Sequence, residues 1–244
     1  MDATRIDVWL IVAIAVCIPL LASAQPANDA NCCPLRLTWR AYDGAGFATS
    51  VVRGAKAHRS RARVERALQG VARTFADAKI CVHWDSGPVM DVAPVLRLFG
   101  PSDTALAAIE GAIPSGGAPV AVLFVERLEA YDSHGGAYVR RRGLTPRPGA
   151  ALAIVALDSR QALRATIQNE LYHVLGLTDA ELGASEYDAR HHVTPSMWDF
   201  ARRACAVVAD REALRRLIET KDQCVATAAA AGGERLACYT EGTR

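Results

Sequence analysis

This sequence of 244 residues has almost no net charge and no internal repeat. Its 28 lysines and arginines nearly balance its 26 aspartates and glutamates, which leaves a formal net charge of +2. Aromatic residues make up only 6% of the chain and are not interleaved with a basic cluster, so we expect no nucleic-acid partner. The short basic run Val139–Gly143 is typical of a solvated loop. With 51% hydrophobic residues, the chain is long enough to bury one sizeable core, which favours one globular domain.

The sequence also lacks a CxxC pair, which argues against a zinc-thiolate site. Of the seven cysteines, Cys17 lies in the N-terminal apolar segment, and the other six form an even set that favours disulfides in an oxidising compartment. Cys224 and Cys238 bracket an alanine- and glycine-rich segment and are placed to close a C-terminal loop. The neighbouring residues Cys32 and Cys33 are expected to bond to different partners.

The N-terminal apolar run, Val8–Leu21, is short for a membrane span. The small residues Ala22–Ala24 follow it and resemble a signal-peptidase site before Gln25. We therefore predict a signal peptide and a secreted or periplasmic protein without a stable membrane span after cleavage. An uncleaved anchor is the alternative, because Asp2 and Asp7 stand where basic residues are expected.

Apolar patterns in the rest of the chain predict an α/β (α+β) fold with a twisted mixed sheet. Val64, Leu68, Val71 and Phe75 recur at helical spacing, which predicts an amphipathic helix that backs the sheet. The predicted domains are a signal peptide at 1–24, one domain at 25–222 and a disulfide-stabilised tail at 223–244. The predicted elements are strands at 32–43, 79–87, 118–131, 135–143 and 149–159, and helices at 56–78, 159–175 and 198–221.

The segment Thr166–Glu181, TIQNELYHVLGLTDAE, carries the residues of greatest chemical interest. Residues four apart share one face of a helix, so Asn169 and His173 project together, with Glu170 beside them. Gly176 allows the left-handed backbone that ends a helix, after which Asp179 is expected to return toward His173. A histidine and a carboxylate that converge in this way are ligands suited to zinc, and an adjacent glutamate suits a general base.

The stretch NELYHVLGLTD resembles the zinc motif of the metzincin metallopeptidases, His-Glu-x-x-His-x-x-Gly-x-x-His or Asp. The likeness extends to Met197 in TPSMWD, which is similar to the methionine turn of that family, and to GGAYV, which is similar to its substrate-pairing edge strand. The resemblance implies a metzincin-like zincin domain with an active-site helix and a C-terminal helix. It also implies His173 and Asp179 as zinc ligands, Glu170 as the base, and an extended peptide or protein as the partner.

The sequence departs from the motif at Asn169, which replaces the first histidine. An amide oxygen is a weak zinc ligand, so zinc is expected to bind weakly or to be absent. Two functions follow: metal-assisted peptide hydrolysis, with Asn169 or a substitute ligand completing the site, or an inactive homologue. The alternative to an enzyme or its inactive homologue is a binding protein, namely a non-catalytic, disulfide-stabilised domain that binds peptides or proteins. His191, His192 and Asp199 are candidate substitute ligands, and the helix could also be purely structural.

Overall fold

The computed structural model describes residues 31–41, 55–86, 118–125, 128–132, 137–157, 163–183, 193–233 and 235–240. The strands are β1 (Cys33–Ala41), β2 (Ile80–Ser86), β3 (Val120–Val125), β4 (Leu128–Asp132), β5 (Ala137–Arg141), β6 (Gly143–Leu144) and β7 (Leu152–Ala156). The helices are α1 (Ala55–Asp77), α2 (Leu163–Val174), α3 (Asp179–Leu182), α4 (Pro195–Val207) and α5 (Arg211–Ala230), followed by a 3-10 helix (Leu236–Tyr239).

A five-stranded mixed sheet in the order β2-β1-β3-β7-β6 organises the fold. β2, β1, β3 and β7 are mutually parallel, whereas β6 runs antiparallel to β7 at one edge. Helix α1 packs against β2 and α2, and α2 packs against β7 and β6. The molecule is therefore a mixed α/β structure, as the sequence predicts, and α2 lies beside the antiparallel edge.

The central strands of the sheet are continuously apolar. All residues of β3 (VAVLFV) and β7 (LAIVA) are buried, as expected for parallel strands covered on both faces. In α1, the side chains of Val64, Leu68 and Phe75 are fully buried, which confirms the amphipathic helix predicted there.

Several predictions for the strands are wrong. The strand predicted at 118–131 is two strands in two different sheets, because β4 leaves the main sheet to pair antiparallel with β5. The described residues of the predicted edge strand GGAYV, Ala137–Val139, lie in β5 of that two-stranded sheet, and β6 forms the edge of the main sheet. The basic run Val139–Gly143 lies in β5 and β6 rather than in a loop.

The predicted final helix at 198–221 is two helices. Helix α4 ends at Val207, and Asp210 starts α5 by accepting hydrogen bonds from the backbone N–H groups of Glu212 and Ala213. An aspartate in that capping position favours a new helix start over a continuous helix. The predicted boundary at residue 222 falls within α5. Asp158 and Ser159, residue types that favour a helix cap before α2, lie outside the described residues.

Three disulfides fasten this framework. Cys32 bonds to Cys81 and Cys33 to Cys205, so the adjacent cysteines do reach different partners. Cys224 bonds to Cys238, which ties the 3-10 helix back to α5 as predicted. These bonds are compatible with a secreted or periplasmic protein. The predicted signal peptide lies outside the described residues, and among the described helices none is long and apolar enough to cross a membrane.

Candidate functional site

Helix α2 carries three of the four predicted site residues, of which Glu170 is buried and Asn169 and His173 are partly exposed. Leu163, Ile167 and Leu171 are buried against the sheet and α1. Tyr172 is 1% exposed and stacks on Phe75 with ring centroids 5.3 Å apart. Because one face of the helix is fixed in this way, the position of Asn169, Glu170 and His173 follows from helix geometry.

Gly176 ends the helix with the turn that the sequence predicts. Its φ is +86°, in the left-handed region that favours glycine. The N–H of Gly176 donates to the His173 carbonyl at 2.9 Å, and the N–H of Leu177 donates to the Tyr172 carbonyl at 3.0 Å. This pair of bonds is a Schellman motif, which satisfies two of the carbonyls left free at the helix end.

Asp179 follows the turn at the start of the short helix α3. Thr178 caps this helix, since its hydroxyl accepts from the Glu181 N–H at 3.3 Å. The Glu181 carboxylate accepts in return from the Thr178 N–H at 2.7 Å, which completes a capping box. Asp179 is therefore held on a rigid turn and not on a free loop.

The imidazole of His173 lies at the centre of the cluster. Its Nδ1 is 2.7 Å from the carbonyl oxygen of Leu177. Its Nε2 is 3.0 Å from Nδ2 of Asn169 and 3.1 Å from Oδ1 of Asp179. The His173 side chain is only 12% exposed, whereas that of Asp179 is 61% exposed, so solvent reaches the cluster on the Asp179 side.

The two contacts at Nε2 of His173 favour different protonation states. A carbonyl only accepts, so Nδ1 carries a hydrogen, and a neutral ring would then present a lone pair at Nε2. That lone pair accepts from the Asn169 Nδ2 group as it is oriented here but repels the Asp179 carboxylate, whose contact becomes favourable with a proton or a metal ion at Nε2. Burial alone would lower the pKa of His173, but the Asp179 hydrogen bond, the Glu170 charge and the Leu177 carbonyl outweigh it and raise the pKa above its usual value.

Asn169 contributes a polar atom that is otherwise unsatisfied. Its Oδ1 is buried and has no hydrogen-bond partner among the described residues. A half-turn of the amide would exchange its nitrogen and oxygen and turn Oδ1 toward the cluster. In the orientation present here Nδ2 faces His173, so Oδ1 would become a ligand of a cation in the cluster only after that half-turn.

Glu170 lies beneath the antiparallel edge strand. Its side chain is buried, and Oε2 accepts from the Thr145 hydroxyl at 2.8 Å. The strand approaches so closely that a Cβ at Gly143 would lie 2.3 Å from Oε1 of Glu170. Burial raises the pKa of Glu170 to about 7, against the opposing effects of His173, Thr145 and Asn169. A carboxyl group with this pKa is suited to exchange protons near neutral pH.

Of the remaining candidate residues, Met197 and Asp199 lie on α4. Met197 is buried at the third position of α4, where its backbone N–H donates to the Thr194 cap. Asp199 forms an ion pair with Arg202 of the same helix. His191 and His192 lie outside the described residues. Within the described part of the chain, no three His, Cys, Asp or Glu side chains form a metal-binding group.

The sequence interpretation missed Gly143 and Thr145, which contact Glu170, and Lys221, which lies behind the turn. Nothing in the sequence near Gly143 indicates that it lies against α2. Lys221 does leave a signal, because it continues the helical spacing of Leu214 and Ile218, and all three side chains are buried. A lysine on the apolar face of a helix indicates a buried carboxylate or carbonyl partner, because lysine is almost never fully buried unless it is paired.

The donor set fits a weakly bound divalent cation. It comprises Nε2 of His173, the Asp179 carboxylate and the Asn169 amide. The other ring nitrogen of His173, Nδ1, contacts the Leu177 carbonyl. The carbonyl contact resembles the outer hydrogen bond that orients histidines in metal sites. Two strong ligands and one weak ligand are fewer than a closed structural zinc site uses.

Comparisons with known proteins give no family. No family model and no curated protein matches the chain. Among solved structures, the chain is similar to one described as "Structure of a chaperone-substrate complex", with a TM-score of 0.48 and 8% identity over 74% of this chain and 36% of that chain. The chain thus spans about a third of the length of that protein. A likeness of this strength carries no argument about function.

Proposed function

We propose that this protein is a secreted or periplasmic metzincin-like metallopeptidase homologue that binds zinc weakly through Asn169, His173 and Asp179. The observation that carries the proposal is the convergence of two side chains on Nε2 of His173, Asn169 at 3.0 Å and Asp179 at 3.1 Å. The turn at Gly176 and the antiparallel edge strand over α2 support the same zincin-like fold. The three disulfides support the compartment.

The chemistry would be metal-assisted hydrolysis of a peptide bond. When bound, zinc would polarise the peptide carbonyl and lower the pKa of a coordinated water. Glu170 would accept the proton from the attacking water and pass it to the leaving amine, a role that fits its pKa of about 7. The sheet edge at β6 would align an extended polypeptide by main-chain pairing.

Restoring a histidine at Asn169 tests the metal assignment. If Asn169 is the weak ligand, Asn169→His should tighten zinc binding on the order of 100-fold. One strong ligand contributes part of the total binding free energy of a structural zinc site. Zinc affinity is measured by competition with a chromophoric chelator on the oxidised protein. Equal affinity for the wild type and Asn169→His would overturn the assignment.

Peptide hydrolysis tests the catalytic assignment separately. Zinc-loaded Asn169→His should cleave fluorogenic extended peptides, and Glu170→Gln in the same background should remove the cleavage while it leaves zinc binding intact. Cleavage that survives Glu170→Gln would contradict the role of Glu170 as the base.

A second candidate function is peptide binding without cleavage, and the enclosure of Glu170 favours it. The carboxyl group lies against Gly143 and is hydrogen-bonded to Thr145, which together limit its access to a substrate. On this account the cleft would hold an extended peptide along β6 while Glu170 stayed protonated and structural. Saturable binding of the fluorogenic peptides by zinc-loaded Asn169→His without any cleavage would favour this candidate.

A further inference from the structure

Helix α5 places one buried ammonium group directly behind the turn that carries Asp179. The Lys221 side chain is 1% exposed. Its Nζ donates to the Gly176 carbonyl at 2.8 Å and to the two Glu181 carboxylate oxygens at 2.7 Å and 2.8 Å. The Asp222 carboxylate, which is half-exposed, lies 3.0 Å away. One cation therefore joins both ends of the turn from Gly176 to Glu181.

The Glu181 carboxylate is the other half of this connection. It accepts from Lys221, from the Tyr239 hydroxyl at 3.0 Å and from the Thr178 N–H and hydroxyl at 2.7 Å and 2.8 Å. Tyr239 belongs to the 3-10 helix that the Cys224–Cys238 disulfide ties to α5. Because these donors approach from three segments of the chain, Glu181 has one well-determined position.

The same turn contacts both nitrogens of the His173 ring. Leu177 supplies the carbonyl at Nδ1, and Asp179 supplies the carboxylate at Nε2. Leu177 follows Gly176 directly, and Asp179 lies two residues before Glu181, so both contacts lie between the two groups that Lys221 holds. A movement of the turn away from α5 would change both contacts at once.

We propose that Lys221 and Glu181 form a positioning pair that fixes Asp179 against His173. The proposal deepens the function proposed above, since it names residues that set the geometry of the same site. They act through the turn, whose backbone they hold at Gly176 and at the capping box.

Lys221→Met tests the pair, because methionine keeps most of the side-chain length and removes the charge. Two properties are measured: zinc affinity, and the 15N chemical shifts of the His173 ring in the zinc-free protein. The matched control is Leu214→Ala, which creates a cavity on the same buried stripe of α5 next to Gly149. Both variants are compared under conditions in which they are fully folded.

Lys221→Met should weaken zinc binding by roughly tenfold or more, the scale seen for outer-shell residues of metal sites. It should also move the His173 ring shifts toward those of a free imidazole, whereas Leu214→Ala should leave both properties unchanged. Equal values for the wild type and Lys221→Met would overturn the proposal, as would equal changes in the two variants, which would indicate loss of stability alone.

Tyr239→Phe and Asn169→His provide two further tests of the positioning pair. Tyr239→Phe removes one hydrogen bond to Glu181 and should move the ring shifts in the same direction by a smaller amount. It replaces Lys221→Met if that variant does not fold, and unchanged shifts would then overturn the proposal. Zinc binding that is absent from the wild type and from Asn169→His would defeat the proposed function, but the ring shifts of the zinc-free variants would still decide whether Lys221 positions the turn.

Discussion

Two glutamates of this molecule are almost equally hidden from solvent and yet lie in opposite electrostatic settings. Glu181 accepts hydrogen bonds from a lysine, a tyrosine and its own capping threonine. Glu170 accepts from the Thr145 hydroxyl beneath a strand edge, and burial raises its pKa to about 7. The negative charge of Glu181 is balanced by its donors and stabilises a turn. The pKa of Glu170 is shifted toward neutral pH, as is typical of groups that serve in acid–base catalysis.

Removing the compensation from Glu181 should have the largest effect on stability. Lys221→Met leaves a buried carboxylate without its cation and should lower the free energy of unfolding by about 3 to 5 kcal/mol. Urea unfolding at pH 7 measures the loss. Lys221→Met combined with Glu181→Gln should lose less than the single variant, and Arg215→Met, in an exposed pair with Glu219, should lose less than about 1 kcal/mol. A Lys221→Met loss as small as that of Arg215→Met would contradict the comparison.

Removing the charge of Glu170 should have the opposite sign. Its folded-state pKa is raised from 4.5 to about 7, so the protonated acid stabilises the fold below pH 4.5, and this contribution is lost as the pH rises through about 7. At pH 8, zinc-free Glu170→Gln should be more stable than the wild type by about 2 to 3 kcal/mol. Urea unfolding in chelator should show this difference shrinking toward pH 5. A difference that does not change with pH would show that burial does not raise the pKa of Glu170.

The close strand above Glu170 offers a steric test. The Cβ added by Gly143→Ala would overlap the Glu170 carboxylate, so we expect a loss of about 1 to 3 kcal/mol. In a Glu170→Ala background the space is free, and the same substitution should cost much less. The double-mutant cycle measures this coupling, with Gly233→Ala as a control at a glycine whose nearest neighbour would be 3.7 Å away. Additive effects would contradict the contact.

The smallest expected effect concerns the hydroxyl that bonds to Glu170. Thr145→Val removes the 2.8 Å hydrogen bond but keeps the side-chain shape, so stability at pH 8 should fall by about 1 kcal/mol. Because that bond lowers the pKa of Glu170, the variant should titrate at a higher pH. Carbonyl 13C chemical shifts measured by NMR follow this titration, and an unchanged midpoint would argue against the bond.

The sequence predicts the local parts of the site well. Asn169, Glu170 and His173 are brought together by the helix repeat, and Asp179 by a glycine turn three residues after His173, so short-range geometry is sufficient. The disulfide between Cys224 and Cys238 follows in the same way from a spacing of 14 residues.

The long-range parts could not be predicted from a single sequence. Lys221 meets Glu181 across 40 residues, and Thr145 meets Glu170 across 25, and both contacts depend on the packing of separate elements. The departure of β4 from the main sheet has the same origin, since one apolar run fits either one long strand or two short ones. Only the tertiary fold selects between them.

The most direct test of the central claim is the zinc content of the oxidised wild type and of His173→Ala after equilibration in buffered micromolar free zinc. If His173 anchors a metal site, the wild type should bind about one zinc per chain, and His173→Ala should bind far less. Equal zinc content in the two proteins would contradict the claim, and the contact between His173 and Asp179 would then be an ion pair with a proton in the place of the metal.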